Sequence, residues 1–267
     1  MLGPFAATIV FISWICLTVI AFVLINFLWP ADQRTGHNEI VGWQLSVIGT
    51  TYAVILGFML FNVWDNFRTA DINADQEANA LVNLYRLSEG LPDPTKRSIQ
   101  LDARKYAQIM IQEEWPDMAH RTLSAAGTAV TQELWETVVT AGKDPAVQGP
   151  DFTQALSELS TMTQHRRVRH LESQFRLPGL LWTVLLAGGL ITLISSCLLS
   201  AENLRLHFLL VICMSLVLGI ALIAIAEVDQ PFRGAVRVQP HGFRLALETF
   251  DRLSRAADQQ QQQQPQH

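Results

Sequence analysis

Charged side chains are scarce in this 267-residue sequence: 16% of residues, against about 25% in an ordinary soluble domain. The scarcity is uneven. Asp, Glu, Lys and Arg are absent from four runs, residues 5–29, 40–64, 177–201 and 206–226. Each run exceeds the roughly 18 apolar residues that mark a transmembrane helix candidate. A soluble enzyme and a single secreted domain are thereby excluded. The formal charge is −5 and no basic segment stands apart, which excludes a nucleic-acid binder. Cysteine is nearly missing. Cys16, Cys197 and Cys213 all lie inside the apolar runs, an odd set that makes neither a disulfide framework nor a metal site. Lys and Arg are missing before the first run, and no small-residue cleavage site follows it at Leu28-Trp29-Pro30. The run reads as a retained helix and not as a secretory signal.

Catalytic patterns are lacking too. The seven His are scattered, and His165 and His170 are embedded in arginines that repel a cation. There is no phosphate loop, no Gly-x-Ser-x-Gly and no Cys-x-x-Cys. No catalytic residue, cofactor or metal ligand is assigned. Intramembrane Asp, Glu, Lys or Arg would mark a proton relay or ion-coupled transport. Their absence argues against a coupled transporter and leaves room for a channel, since an apolar constriction can gate a pore.

What is present is an all-α membrane protein with four spans. Trp29, Trp43 and Trp64 sit at run ends as interfacial anchors. Span three carries Gly188, Thr192 and Ser196, and span four Ser215 and Gly219, each at four-residue spacing that lets helices approach closely. Only a few residues join spans three and four, which predicts an antiparallel hairpin. Lys and Arg number seventeen in the region 65–176 and the C-terminal segment, and two in the other links, at Arg34 and Arg205. That bias puts the central region and both termini in the cytoplasm. The domain reading is 1–64 and 177–226 as membrane helix pairs, 65–176 as a cytoplasmic helical region, 227–255 as a cytoplasmic segment, and 256–267 as a disordered Gln-rich tail.

Span two has no breaker at its end. Phe67, Ala70, Ala74, Ala78, Leu81 and Tyr85 continue a helical period, with Asp71, Asp75, Glu77 and Arg86 between them. The helix is expected to run unbroken to about Gly90. Asp93, followed by Pro94, should cap a helix ending at Trp115-Pro116. A third helix covers roughly 124–141, and Asp151 should cap a fourth, which carries the basic run 165–170. Glu113 and Glu114 read as a solvated helix end, and Arg166, Arg167 and Arg169 as contacts to inner-leaflet phosphates or, alternatively, as part of an anion vestibule.

Ser46, Thr50, Val54, Phe58, Asn62 and Asn66 recur every four residues along span two, beside Gly49, Ala53 and Gly57. The stripe is polar at both ends and apolar in the middle. Copies of this helix around an axis would line a conduit with a neck near Val54 and Phe58. Helix packing by small and polar residues explains the same spacing.

Several segments resemble a bacterial family of bestrophin-like integral membrane proteins of unknown function. They are Tyr52-Ala53-Val54-Ile55-Leu56-Gly57-Phe58 with Trp64; Ala70 with Glu77-Ala78; Leu84-Tyr85-Arg86-Leu87 with Leu91-Pro92; Tyr106 with Glu114-Trp115-Pro116; Leu177-Pro178 with Trp182; and Asp229-Gln230-Pro231-Phe232-Arg233-Gly234. The match covers roughly residues 40–245. A weaker resemblance to the bestrophin channels implies a pentamer, four membrane helices per subunit and a pore lined by the second. Leu56-Gly57-Phe58 is similar to their Leu-Gly-Phe, which places Phe58 at a pore neck. Val54 and Thr50 fall on the two preceding neck positions and are less bulky than the family pattern. Val236-Arg237-Val238-Gln239 stands where an acidic calcium-binding cluster follows in those channels, so calcium gating is not implied.

The expected function is therefore an oligomeric ion channel with inorganic ions and lipid as partners and Ser46, Thr50, Val54, Phe58 and Asn62 lining the pore. The alternative is a non-conducting membrane scaffold or sensor whose cytoplasmic helices bind a partner through the faces around 81–87 and 134–138.

Overall fold

A computed structural model describes residues 4–263, and they are helical with no strand among the described residues. Helix α1 is Pro4–Leu28, α2 the single turn Ala31–Arg34, and α3 Asn38–Leu87. After them come α4 (Thr95–Ile109), α5 (Trp115–His120), α6 (Ala125–Ala141), α7 (Pro150–Gln174), α8 (Gly179–Leu198), α9 (Leu204–Val228) and α10 (His241–Gln263). Four helices are long and apolar enough to cross a membrane: α1, α3, α8 and α9.

The chain forms two compact units. One holds the chain up to Phe67, Arg176–Gln230 and Gly234–Arg237. There α1 packs on α8 and α9, and α8 packs on α9. The small residues do the work their spacing implies. Thr18 and Ser215 share a 2.7 Å hydrogen bond, and the Trp14 indole donates to the Ser215 carbonyl at 3.1 Å. Tyr52 of α3 donates to the Leu185 carbonyl at 2.8 Å and lies against Gly188, where a Cβ would come within 2.5 Å of its ring. Between α1 and α3, buried Arg34 donates to the Cys197 carbonyl at 2.7 Å and to Asn26, closing one end of this unit.

The other unit holds Arg68–Phe175, Pro231–Arg233 and the chain from Val238. Helix α4 packs on α6 and on α10. Ile99, Ala103, Tyr106, Leu134, Val138, Phe243 and Phe250 fill its core, and the Tyr85 and Phe250 rings stack at 4.2 Å. The face 81–87 and the face 134–138, read as partner surfaces, are covered by the chain's own helices: Leu81, Leu84, Leu134 and Val138 are wholly buried.

Several local expectations are corrected. Helix α4 begins after Pro94 with no side-chain cap, and Asp93 instead pairs with Arg97 at 3.4 Å. The helical path does not stop at Trp115-Pro116. A π turn, Met110–Glu114, precedes Pro116, and the Trp115 N–H reaches back five residues to the Met110 carbonyl. Proline offers no N–H and its ring crowds the carbonyl one turn back, and the wider turn relieves that crowding. Pro150 opens α7 at its first turn, with Asp151 beside it but not capping. Helix α10 runs through the Gln tract to Gln263, where 256–267 was expected to be structureless. Glutamine is a good helix former, and an existing helix extends through it at little cost. Residues 264–267 of that expectation lie outside the described residues.

Candidate pore helix and a buried charge cluster

Helix α3 carries the candidate pore residues on its uncovered side. Tyr52, Leu56, Met59 and Val63 form the covered side, packed with Leu185, Leu222 and Ile225 or bonded to α8. Thr50, Val54 and Phe58 point the other way. Val54 keeps 53% of its surface and Phe58 68%, and Ser46, Thr50 and Asn62 are exposed as well. A Cβ at Gly42, Gly49 or Gly57 would meet nothing within 4 Å. Ser46 returns its hydroxyl to the Gly42 carbonyl at 3.0 Å, and Asn62 accepts from Asn66 at 3.4 Å. Four residues advance about 40° beyond a full turn. Thr50, Val54 and Phe58 therefore lie within about 80° of one another, while Ser46 and Asn62 are about 160° apart. One axis alongside a straight α3 is faced by the middle three, with the polar pair flanking.

The second site is in the other unit, and its residues lie together in the folded chain although sequence reasoning treated them as surface. Arg169 is fully buried. Its Nε donates to Glu77 at 2.6 Å, and its Nη2 reaches both Glu77 and Glu114 at 2.8 Å. Its guanidinium lies 4.7 Å from the Trp115 ring centre and touches the sulfurs of Met110 and Met118 at 3.2 and 3.1 Å. Arg166 grips Glu114 through two nitrogens, the shorter contact being 2.8 Å, and His170 Nε2 approaches the same carboxylate at 3.0 Å. The Tyr106 hydroxyl donates to Glu77 at 2.7 Å.

Glu114 is thus wholly buried and not a solvated helix end, and Arg166 and Arg169 turn inward instead of reaching for lipid phosphates. Arg167 alone of the three is exposed. The signal was in the spacing. Ala155, Leu159, Met162, Arg166, Arg169 and Ser173 recur at three and four residues, so both arginines share the core face of α7. Glu77 likewise shares the face of Ala70, Ala74, Ala78, Leu81 and Leu84.

Electrostatics follow from this packing. Burial alone would raise the pKa of Glu114, but His170 and the charges of Arg169 and Arg166 hold it well below the carboxylate range. Burial works against the charge on Arg169, and Glu77 and Glu114 overcome it and raise its pKa. Burial, reinforced by the charge of Glu77, pushes the Tyr106 hydroxyl well up. Glu172, one turn further along α7, has no such ring of cations. Burial lifts it to about 7 against the opposing pull of the Asn73 amide at 3.4 Å and of Arg169. Asn73 also bonds His165, at its ring nitrogen (2.6 Å) and at its carbonyl (2.9 Å). No group of three or more His, Cys, Asp or Glu among the described residues could hold a metal ion.

The segment Asp229-Gln230-Pro231-Phe232-Arg233-Gly234 has structural uses. Asp229 accepts the Leu177 N–H at 2.6 Å, and Gly234 takes a left-handed φ of 90°. In the other unit Phe232 is buried edge-on against Trp115 at 5.9 Å.

Four helices able to cross a membrane and a helical bundle define a class, the polytopic all-α membrane proteins. Within that class the chain belongs to the bestrophin-like family, whose domain model matches residues 12–243. Solved structures agree on the fold. A point mutant of a bacterial bestrophin homologue from Klebsiella pneumoniae superposes with a TM-score of 0.69 at 12% identity, over 93% of this chain and 98% of that one. The same homologue solved by zinc phasing gives 0.67 at 13%, over 92% and 96%. A crystal structure described as a membrane protein mutant gives 0.66 at 14%, over 92% and 96%. No curated protein matches in sequence.

Proposed function

We propose that this bestrophin-like protein is a homo-oligomeric ion channel, with α3 of each subunit lining the pore. The observation that carries the reading is the uncovered face of α3. Thr50, Val54 and Phe58 are left bare by a chain that covers the opposite face of the same helix. Hydroxyls and amides at the ends and an apolar middle suit ion entry followed by a narrow, dewetting neck. The four apolar runs 5–29, 40–64, 177–201 and 206–226 hold no Asp, Glu, Lys or Arg, in keeping with passive conduction. Five copies, the number in bestrophin channels, would set Phe58 at the neck. The resemblance to bacterial family members favours a bacterial inner membrane, and the bias of Lys and Arg favours both termini and residues 65–176 on the cytoplasmic side.

The test is planar-bilayer recording from purified full-length protein under a salt gradient, with Phe58→Ala alongside. The reading expects discrete openings whose conductance rises in Phe58→Ala, because the variant removes the widest obstruction. Silence from folded, oligomeric wild type and Phe58→Ala alike would overturn it.

A further inference from the structure

Helices α1, α8 and α9 do not close on one another completely. They leave a cavity of about 360 Å³ in the membrane unit, within the range of small-molecule sites. Its body is apolar, walled by Phe11 and Trp14 of α1, Leu186 of α8 and Leu222 of α9. Trp14 is pinned by its bond to Ser215, and Gly219 makes room for it: a Cβ there would meet Phe11 and Trp14 at 3.0 Å. One end is acidic, formed by Glu227 and Asp229. Gly219 and Glu227 are eight residues apart, about 12 Å along the helix. The cavity is thus a slot with a greasy shaft and an anionic mouth.

The two carboxylates are not equivalent. Asp229 anchors the start of α8 through the Leu177 N–H at 2.6 Å. Glu227 receives a longer bond, 3.3 Å, from the Ala235 N–H. None of the described lining residues is Lys or Arg. The pore reading makes no use of this slot, which lies on other helices.

We propose that the slot is a lipid site: it holds an acyl chain of a membrane lipid whose headgroup carries a primary ammonium, and Glu227 pairs with that ammonium. Charge and hydrogen bonding together select the headgroup: phosphatidylglycerol carries no cation, and the quaternary nitrogen of phosphatidylcholine has no N–H to donate to Glu227. A net anionic head would meet Glu227, with no Lys or Arg among the described lining residues, and an ammonium meets its complement. The apolar shaft selects a chain over a free amine, since burying methylenes is its main source of affinity.

The test is native mass spectrometry of the full-length protein released from nanodiscs that contain phosphatidylethanolamine, phosphatidylglycerol and phosphatidylcholine in equal proportion. The expected result is one lipid retained per chain, phosphatidylethanolamine over the other two by about fivefold, the upper end for a partly exposed charge pair. Glu227→Gln keeps the lipid but brings the three headgroups level. Ala226→Phe, which fills the shaft, removes the bound lipid, and Leu186→Trp serves the same purpose should Ala226→Phe fail to fold. Equal or better retention of phosphatidylglycerol, selectivity unchanged in Glu227→Gln, lipid still held by the filled variants, or no lipid retained by the wild type would each overturn the proposal.

Discussion

Arg169 shows how much one side chain can hold. It satisfies two carboxylates in a place no water reaches, and its removal leaves Glu77 without its arginine and Glu114 with Arg166 and His170 alone. Arg169→Met should cost about 3–5 kcal/mol, read as a large fall in the unfolding temperature of the full protein in detergent. Arg169→Lys should not restore it, because a point charge cannot present the planar fork that spans Glu77 and Glu114. Acid should act through Glu114. Its pKa is lower folded than unfolded, so its contribution is complete above the ordinary carboxylate range and is lost as pH falls from about 5 toward the folded value. Glu172 has the opposite sign. Its folded pKa is raised to about 7, so its contribution is complete below the ordinary carboxylate pKa and is lost as pH rises to about 7. Unfolding temperatures of Glu172→Gln should therefore decline less from acid to neutral pH than those of the wild type, and an unchanged slope would contradict this. None of these roles was legible at the residue level. A Glu or an Arg reads as solvated by default, and only its register on a helix face says otherwise. That register was present for Arg166, Arg169 and Glu77. For Glu114 it was hidden by the π turn, which shifts the phase of the helix just before Trp115.

At the scale of elements the sequence spoke more clearly. The apolar runs, with no charge for more than twenty residues, led directly to α1, α8 and α9, and the unbroken period after Trp64 led to an α3 of 50 residues. What failed were the ends and joints. A proline is read as a stop, yet Pro116 lies inside a helical path because a local widening accommodates it. A Gln tract is read as disorder, yet it prolongs α10 because a folded helix supplies the nucleus. The small-residue stripes were read as close-packing surfaces, and Gly188 is one in a specific sense: the Tyr52 ring occupies the space of a side chain. Gly188→Leu should expel that ring, break its bond to the Leu185 carbonyl and destabilise the protein by about 2–3 kcal/mol. The check is again the unfolding temperature, with Gly179→Leu as control, since nothing lies within 4 Å of a Cβ there.

For the whole molecule, the account turns on one contrast. A single chain buries one face of α3 and exposes the other, and that bare face carries Thr50, Val54 and Phe58. A helix face that bare within one subunit is completed either by lipid or by water along an axis of assembled subunits. The sequence reading named the stripe, but spacing alone could not separate a pore from packing. The burial of Tyr52 and Val63 places the packing within one chain on the opposite side, which leaves lipid or water for this face. The most direct measurement is the current through Val54→Cys channels before and after a charged, thiol-reactive reagent, with the native cysteines replaced. A charged reagent enters water and not lipid, so a pore-facing thiol should react and the current should fall sharply. Unaltered current through open Val54→Cys and Thr50→Cys channels would place this face against lipid and contradict the account.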